Sequence, residues 1–522
     1  MATQKSKAES AEDADAERYN QVLMLSLNCG KTRKNGCLCA LAMMVFAAMT
    51  AAAQAPAAQA AASPPQSHAA AAGFDAVKAR GTVVNSLACL DDPAQSYALY
   101  LPSQYSPDRR WPIIYAFDPA ARGKVPVDLY KDAAEKYGYI VVGSNNAKNG
   151  PAAPEMAAAQ AVWDDTHRRF AINKDRVYTT GLSGGARVAT TFALYCYTCE
   201  IAGVIAHGAS YPVQAIPPEY DHFLYYVAVG DADFNLPEIL TLRKKKEEQG
   251  ASFKVKIYPG PHQWAPPDVV EDSIEWLELK AMQAGTGKAD PAFIHRLLEQ
   301  TRAEAAQAGQ RGDVMAQFYA LRSLAVDFKG LEDVSQFAGQ LAGLKSSKAL
   351  KKAAHDERQQ IDRQESLTAA TSGQLSQLAQ ATSEEQEALK EQIYSAFYNL
   401  QRQLKSKSSD HLVYARAFNQ LWVEGMEAGQ AEFRKNQLQQ AAAYFELMAE
   451  VAPDQPWPKL LLAETRVRAG NKKAALKALE DAVKRGMKRA ESLTQDPELA
   501  PLAQEPEFKK IVERLKGAPT SP

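Results

Sequence analysis

Three short stretches of this chain hold residue types that together can carry out covalent chemistry. The first is Arg176-Val177-Tyr178-Thr179-Thr180-Gly181-Leu182-Ser183-Gly184-Gly185, followed at once by a run of small residues from Ala186 to Ala189. An apolar strand pattern therefore leads into Gly-x-Ser-x-Gly and out into a helix. A sharp strand-to-helix turn of this kind lifts the serine hydroxyl clear of its surroundings, and the glycines let the two backbones approach. Ser183 is the candidate nucleophile, and the Gly184 N–H beside it is a candidate donor to a developing oxyanion. A hydroxyl is a weak nucleophile without a base, and the base needs a third group to orient it. After such a turn the acid and the histidine follow in chain order, each in a loop after a later strand. The second stretch, Gly230-Asp231-Ala232-Asp233, offers two carboxylates, and the third, Gly260-Pro261-His262-Gln263-Trp264, offers one histidine. His262 could take the proton of Ser183 as it attacks an acyl carbon and return it to the leaving group, while one of the two aspartates fixes the imidazole tautomer.

Strands must place these loops at one edge of a sheet. Apolar, β-branched or aromatic runs occur at 96–101, 111–117, 139–143, 176–180, 203–207, 223–229 and 253–258, separated by segments long enough for crossover helices. Several are continuously apolar, as strands covered on both faces are, so a mostly parallel sheet with helices on both sides is expected over 74–285. Beyond Asp290 strand signals stop, and Ala, Leu, Gln, Glu, Lys and Arg predominate, which predicts helices to the end of the chain. The stretch 346–409, rich in Gln, Lys and Glu with apolar residues three and four apart, reads as a solvated helical hairpin, and 289–425 as a whole as a spacer. Over 426–517 the positions Gly429, Ala441, Phe445 and Met448 recur 34 residues later as Ala463, Ala475, Leu479 and Ala482.

Length and charge limit the alternatives. A chain of 522 residues exceeds what one hydrophobic core organises, so several domains are expected. Sixty basic against sixty-one acidic residues give a net charge of -1, which argues against nucleic acid or an anionic membrane as partner. No metal-binding pattern, phosphate loop or dinucleotide fingerprint occurs, so no cofactor is expected. Basic residues at Lys31, Arg33 and Lys34, an apolar run at 37–53 and the Ala-x-Ala around Ala53 to Ala55 form a secretory signal, with low-complexity linker to residue 73. The chain is therefore expected to be exported, periplasmic or extracellular, and to touch a membrane only if that segment stays uncleaved. Of the cysteines outside the segment, Cys89, Cys196 and Cys199, two can form one disulfide, and the pair is not decided by sequence.

Residues from about 96 to 284 resemble the α/β-hydrolase superfamily, and within it small esterases of the polyhydroxybutyrate-depolymerase, feruloyl-esterase and dienelactone-hydrolase kinds. The resemblance implies a Gly-x-x-Asp acid loop, here Gly230 with Asp233, and a Gly-x-His-x-Trp-like loop, here Gly260 with His262 and Trp264. It thus selects Asp233 over Asp231 and implies a serine esterase working on small-molecule or polymer esters. These esterases often carry His-Gly after the third strand for the second oxyanion donor. This chain has Asp118-Pro119-Ala120-Ala121-Arg122 instead, and since Pro119 has no N–H, a neighbour must donate, Asp118 or Ala120. The short segment between elbow helix and acid loop predicts a site open to solvent, and a chain ending near Ala284 is expected to keep its activity. The 34-residue period resembles tetratricopeptide repeats. That implies a possible protein-binding groove, and with it a rival reading in which the chain is a non-catalytic scaffold.

Overall fold

The computed structural model describes residues 74–196, 198–212, 223–249, 251–406, 408–488 and 490–516. The expected signal segment, its cleavage and the export it implies lie outside the described residues. Eight strands form one sheet: β1 (Val83–Ala88), β2 (Ser96–Tyr100), β3 (Trp111–Phe117), β4 (Ile140–Ser144), β5 (Ile172–Leu182), β6 (Gly203–His207), β7 (Leu224–Gly230) and β8 (Phe253–Tyr258). Their order is β1-β2-β4-β3-β5-β6-β7-β8. The pairs β1/β2 and β2/β4 are antiparallel and all others parallel. This is a mostly parallel sheet of the α/β-hydrolase type.

Side chains of the central strands alternate between two cores, as the period of two requires. On one face Ile113, Tyr115, Ile140, Val142, Val204 and Val227 pack with helices α2 (Ala152–Arg169) and α3 (Gly184–Tyr195). On the other, Ile114, Val141, Ile205 and Tyr226 pack with α1 (Lys124–Tyr137) and with Val269, Val270, Ile274 and Leu277. These last four belong to α5 (Pro267–Ala284), which follows α4 (Leu236–Glu248) in the chain. Strand β1 has no counterpart among the sequence expectations. It is a half-exposed antiparallel edge strand carrying Asn85 and Ser86, so it lacks the apolar run that marks the inner strands.

From Pro291 onward the chain is helical. In order come α6 (Pro291–Arg311), α7 (Val314–Asp327), α8 (Ser335–Ser346), α9 (Lys348–Leu378), α10 (Ser383–Leu404), α11 (His411–Arg434), α12 (Leu438–Val451), α13 (Trp457–Arg468), α14 (Lys472–Lys484), α15 (Glu491–Thr494) and, after a short 3₁₀ turn, α16 (Pro506–Lys516). Local chemistry sets several boundaries. Asp290, Asp313, Ser347 and Asn471 each accept a hydrogen bond from a first-turn N–H, and Thr382 with Glu385 forms a reciprocal capping box. Helices α11 to α14 form successive antiparallel pairs around Leu421, Ala441, Phe445, Met448, Ala463, Ala475 and Leu479, with α12 and α14 starting 34 residues apart. The α9–α10 hairpin is not a solvated spacer. Its inward stripe, Leu375, Leu378, Ile393, Phe397 and Leu400, is buried in that same core.

Polar links fasten the helices to the sheet domain. Lys280 pairs with Asp327 at 2.9 Å, Arg296 with Glu275 at 2.6 Å, and Arg243 on α4 with Glu357 on α9 at 2.6 Å. Arg243 is thus buried against Tyr319. Helix α2 also buries polar groups. Asp165 is buried, accepting from the Tyr97 hydroxyl at 2.6 Å and from Arg169 Nε at 2.7 Å. His167 stacks on Trp163, with its Nδ1 2.8 Å from the Trp163 carbonyl.

Candidate active site

Strand β5 delivers Ser183 with φ 54° and ψ −121°, a conformation that L-residues hold only at a cost of order 1–3 kcal/mol. Two features enforce it. The Ser183 N–H donates to the His207 carbonyl at the end of β6, at 2.9 Å, and the Ser183 carbonyl accepts from the N–H groups of Ala186 and Arg187 at 3.0 and 3.2 Å. The flanking glycines answer to close approach: a Cβ on Gly181 would run into the Gly185 carbonyl, and one on Gly185 into the Phe117 carbonyl. The residue pattern of the motif is therefore the pattern of backbones that nearly touch.

Beyond β7 the chain turns so that the Asp233 carboxylate, fully buried, sets both oxygens 2.9 Å from His262 Nδ1. The Asn235 N–H donates to Asp233 Oδ1 at 2.9 Å, holding the carboxylate in place. With its Nδ1 proton directed at Asp233, His262 keeps Nε2 as the basic nitrogen. The Phe234 ring lies 4.3 Å from the imidazole, centroid to centroid. Gly208, at φ +60°, passes so close that a Cβ would come 2.7 Å from Asp233 Oδ2 and 3.0 Å from His262 Nδ1. The other aspartate serves the loops: Asp231 Oδ1 accepts the Gly260 N–H at 3.0 Å, tying the acid loop to the histidine loop. His207 is a buried core residue. Its Nε2 lies 2.8 Å from the Tyr130 hydroxyl, and burial pushes its pKa down to about 3, so it stays neutral.

The turn after β3 differs from expectation. Asp118 is fully buried and accepts from Arg122 Nε and Nη2 at 2.8 and 2.9 Å, from Trp264 Nε1 at 3.1 Å and from the Ala120 N–H at 2.9 Å. Burial pushes this carboxyl up, but the donors from Arg122, Trp264 and Ala120 outweigh it and hold it below the usual carboxylate range. The physical consequence is a correction: the Ala120 N–H is already spent on Asp118 and is not presented to a substrate. Trp264 in turn ties the histidine loop to this turn.

The helical region forms one wall of the site. A cleft of about 800 Å³ is lined on one side by Ser183, Gly184, Asn149, Glu155, Arg187, Phe234 and Glu238, and on the other by Gln364 and Glu365 of α9 and by Gln420, Val423, Glu424, Glu427, Gln430 and Arg434 of α11. The sheet domain does not form the cleft alone, because α9 and α11 supply one wall of it. Helix α11 also grips the acid loop. Arg416, buried, donates through Nη1 to the Asp231 carbonyl at 2.8 Å and through Nε to Gln364 Oε1 at 2.9 Å. Gln364 Nε2 donates in turn to the Phe234 carbonyl at 2.9 Å and to Gln420 Oε1 at 3.0 Å. Glu427 of α11 lines the cleft, and burial pushes its carboxyl up against the pull of Arg187 and His262.

Sequence reasoning missed Gln364, Arg416 and Gln420. The available signal was an arginine in the first half of α11 between Val413 and Ala417, on a face that an ordinary amphipathic helix fills with apolar residues. Cys196 and Cys199 form a disulfide and Cys89 is a buried thiol, pushed up to about 12 by burial and then by Asp165. Among the described residues no cluster of side chains suits a metal ion, and no helix is long and apolar enough to cross a membrane.

No family model matches the chain, and no curated protein matches it. Solved structures do. An S-formylglutathione hydrolase from Staphylococcus aureus is similar at 14% identity, over 35% of this chain and 90% of that chain, with a TM-score of 0.29. A ferulic acid esterase is similar at 16% identity, over 37% and 94%, with a TM-score of 0.30. Esterase 2 of Thermogutta terrifontis is similar at 10% identity, over 38% and 92%, with a TM-score of 0.31.

Proposed function

We propose that this chain is a serine hydrolase that cleaves carboxylic esters through an acyl-enzyme. The observation that carries the reading is the strained Ser183 in the lining of a cleft whose Phe234 abuts an imidazole held by a fully buried carboxylate. Ser183 Oγ adds to the acyl carbon as its proton passes to His262 Nε2. The carbonyl oxygen takes the electron pair and its charge is met by the Gly184 N–H. The tetrahedral species collapses, the alcohol leaves with the proton from His262, and a water activated by the same nitrogen releases the acid. The Asp233 carboxylate, bonded to Nδ1, steadies the imidazolium.

The wall from α9 and α11 bears on the substrate. Glu238, Glu365 and Glu424 face the cleft against Arg187 and Arg434, and Glu155 and Glu427, whose carboxyls burial pushes up, add negative charge only when ionised, so a slight excess of carboxylates surrounds the bound ester. Neutral polar or cationic esters fit that field, and esters with a carboxylate in either half are disfavoured. A walled cleft of this size suits a compact ester or the end of a polymer.

The test is labelling by a fluorophosphonate together with steady-state rates on a neutral activated ester. Ser183→Ala should abolish labelling and cost on the order of a million-fold in kcat, and Asp233→Asn about 10⁴-fold, as in other serine triads. Asp231→Asn, which weakens one loop hydrogen bond, should cost about tenfold or less. Retained turnover in Ser183→Ala ends the proposal, and a larger loss at Asp231 than at Asp233 reverses their roles.

A further inference from the structure

We infer that the side-chain amide of Asn149 is the second donor of the oxyanion hole, taking the place that residues 119–121 in the turn after β3 leave without a main-chain donor; this rests on the serine-hydrolase reading. The first observation is a shortage. In the turn after β3, Pro119 has no N–H, the Ala120 N–H is donated to Asp118 Oδ1, and the Ala121 N–H to the Asp118 carbonyl at 2.9 Å.

The second observation is what stands there instead. Asn149 lies in the loop between β4 and α2, and its own N–H donates to the Pro119 carbonyl at 2.8 Å, while Lys148 bridges Ala120. Main-chain bonds therefore pin this loop to the very turn whose donors are withdrawn, and the Asn149 side chain is not needed to hold it. That side chain lines the cleft together with Ser183 and Gly184. It rests on Gly184: a Cβ there would overlap the amide oxygen and come 2.8 Å from Nδ2. No described residue offers the amide a hydrogen bond. A half-turn of the amide exchanges its oxygen and nitrogen, so Nδ2 can be presented beside the Gly184 N–H.

An unspent amide donor next to the residue after the nucleophile is what a nascent oxyanion requires. When the Ser183 Oγ–carbon bond forms, the carbonyl π pair moves onto oxygen. The Gly184 N–H and Asn149 Nδ2–H then both donate to that oxygen, and the Ser183 proton goes to His262. Because the charge exists only after addition begins, the interaction acts on turnover rather than on binding. The same contact explains why Gly184 must lack a side chain, since a methyl group there would push the amide aside.

The experiment uses the whole chain and a neutral activated ester. Asn149→Ala should lower kcat by about 10²–10³-fold, the loss typical of one oxyanion donor, with KM within a few-fold and an unchanged melting temperature. Binding of a trifluoromethyl ketone, whose adduct carries the oxyanion, should weaken by a similar factor. Gly184→Ala should produce a loss of the same order that largely disappears in the Asn149→Ala background, because the methyl then has no amide to displace. An Asn149→Ala enzyme within threefold of the parent kcat, or additive losses in the double variant, overturns the inference and returns the role to a main-chain N–H. A parent chain inert toward both ester and fluorophosphonate overturns the hydrolase reading and this inference with it.

Discussion

Replacing Arg416 by methionine tests whether the helical region is part of the catalytic apparatus. The guanidinium makes two charge-assisted hydrogen bonds, to the Asp231 carbonyl and to Gln364 Oε1, each worth about 1.5–3 kcal/mol net. Burial lowers the pKa of Arg416 despite the nearby Asp231 and Asp233, so part of that gain is offset by desolvation that methionine does not incur. The balance is a loss of about 2–3 kcal/mol, read as a drop of several degrees in melting temperature. The kinetic effect follows from position. Arg416 holds the carbonyl of Asp231, two residues before Asp233, and a displacement of about 1 Å at a reacting group can cost about 10²-fold. We expect Arg416→Met to lower kcat by about 10–100-fold, well short of the Asp233→Asn loss, with thermal melts and initial rates measured on the same preparation. Arg416→Lys, which keeps the charge but cannot span both acceptors, should fall between. Parental kcat and melting temperature in Arg416→Met would refute the argument that the helices hold the acid loop.

The remaining predictions follow from the same contacts and from one buried acid. A chain ending after Gly285 should lose at least as much kcat as Arg416→Met and should accept carboxylate-bearing esters that the full chain rejects; equal rates and equal selectivity would show that the wall is passive. Glu464 on α13 is pushed up to about 9, first by burial and then by Asp496 and Glu498. Its bound proton therefore contributes stability that is fully present below the ordinary carboxyl value and is lost as pH rises through about 9. Glu464→Gln, always neutral, should melt increasingly above the parent from pH 6 to pH 10, and a difference that stays constant over that range would remove Glu464 as the cause.

The parts of this molecule that were legible in sequence are those whose cause is local. The inner strands announce themselves because residues such as Ile113, Val141 and Val227 are covered on both faces and leave no polar alternation. The elbow is legible because Gly181 records a backbone contact within one turn of chain, with Gly185, while Gly185 answers to the more distant Phe117 carbonyl on β3. Strand β1 escaped because an edge strand is allowed polar residues, and Asn85 and Ser86 break its pattern. The competition for the Ala120 N–H escaped for a related reason. The spacing from Asp118 to Ala120 permits a side-chain-to-backbone bond two residues on, but only the folded turn shows it made.

The wall of the cleft was illegible for a deeper reason, which bears on what such helices are for. Composition reads Gln364, Gln420 and Glu424 as solvent-facing, since amides and carboxylates rarely lie inside. In the fold Gln364 instead donates to the Phe234 main-chain carbonyl, and Gln420 and Glu424 bond each other beside it, Gln420 Nε2 donating to Glu424 Oε1. A polar helix face can thus be satisfied by water or by a catalytic loop, and the two look alike in one sequence. What separates them is Arg416, set within the otherwise apolar run Val413, Tyr414, Ala417 and Leu421, where solvation cannot account for it. A buried arginine is retained only if it meets acceptors with good geometry. Here those acceptors belong to α9 and to the loop that carries Asp233, so the residue that most disturbs the helical pattern is the one that joins the helices to the proposed site.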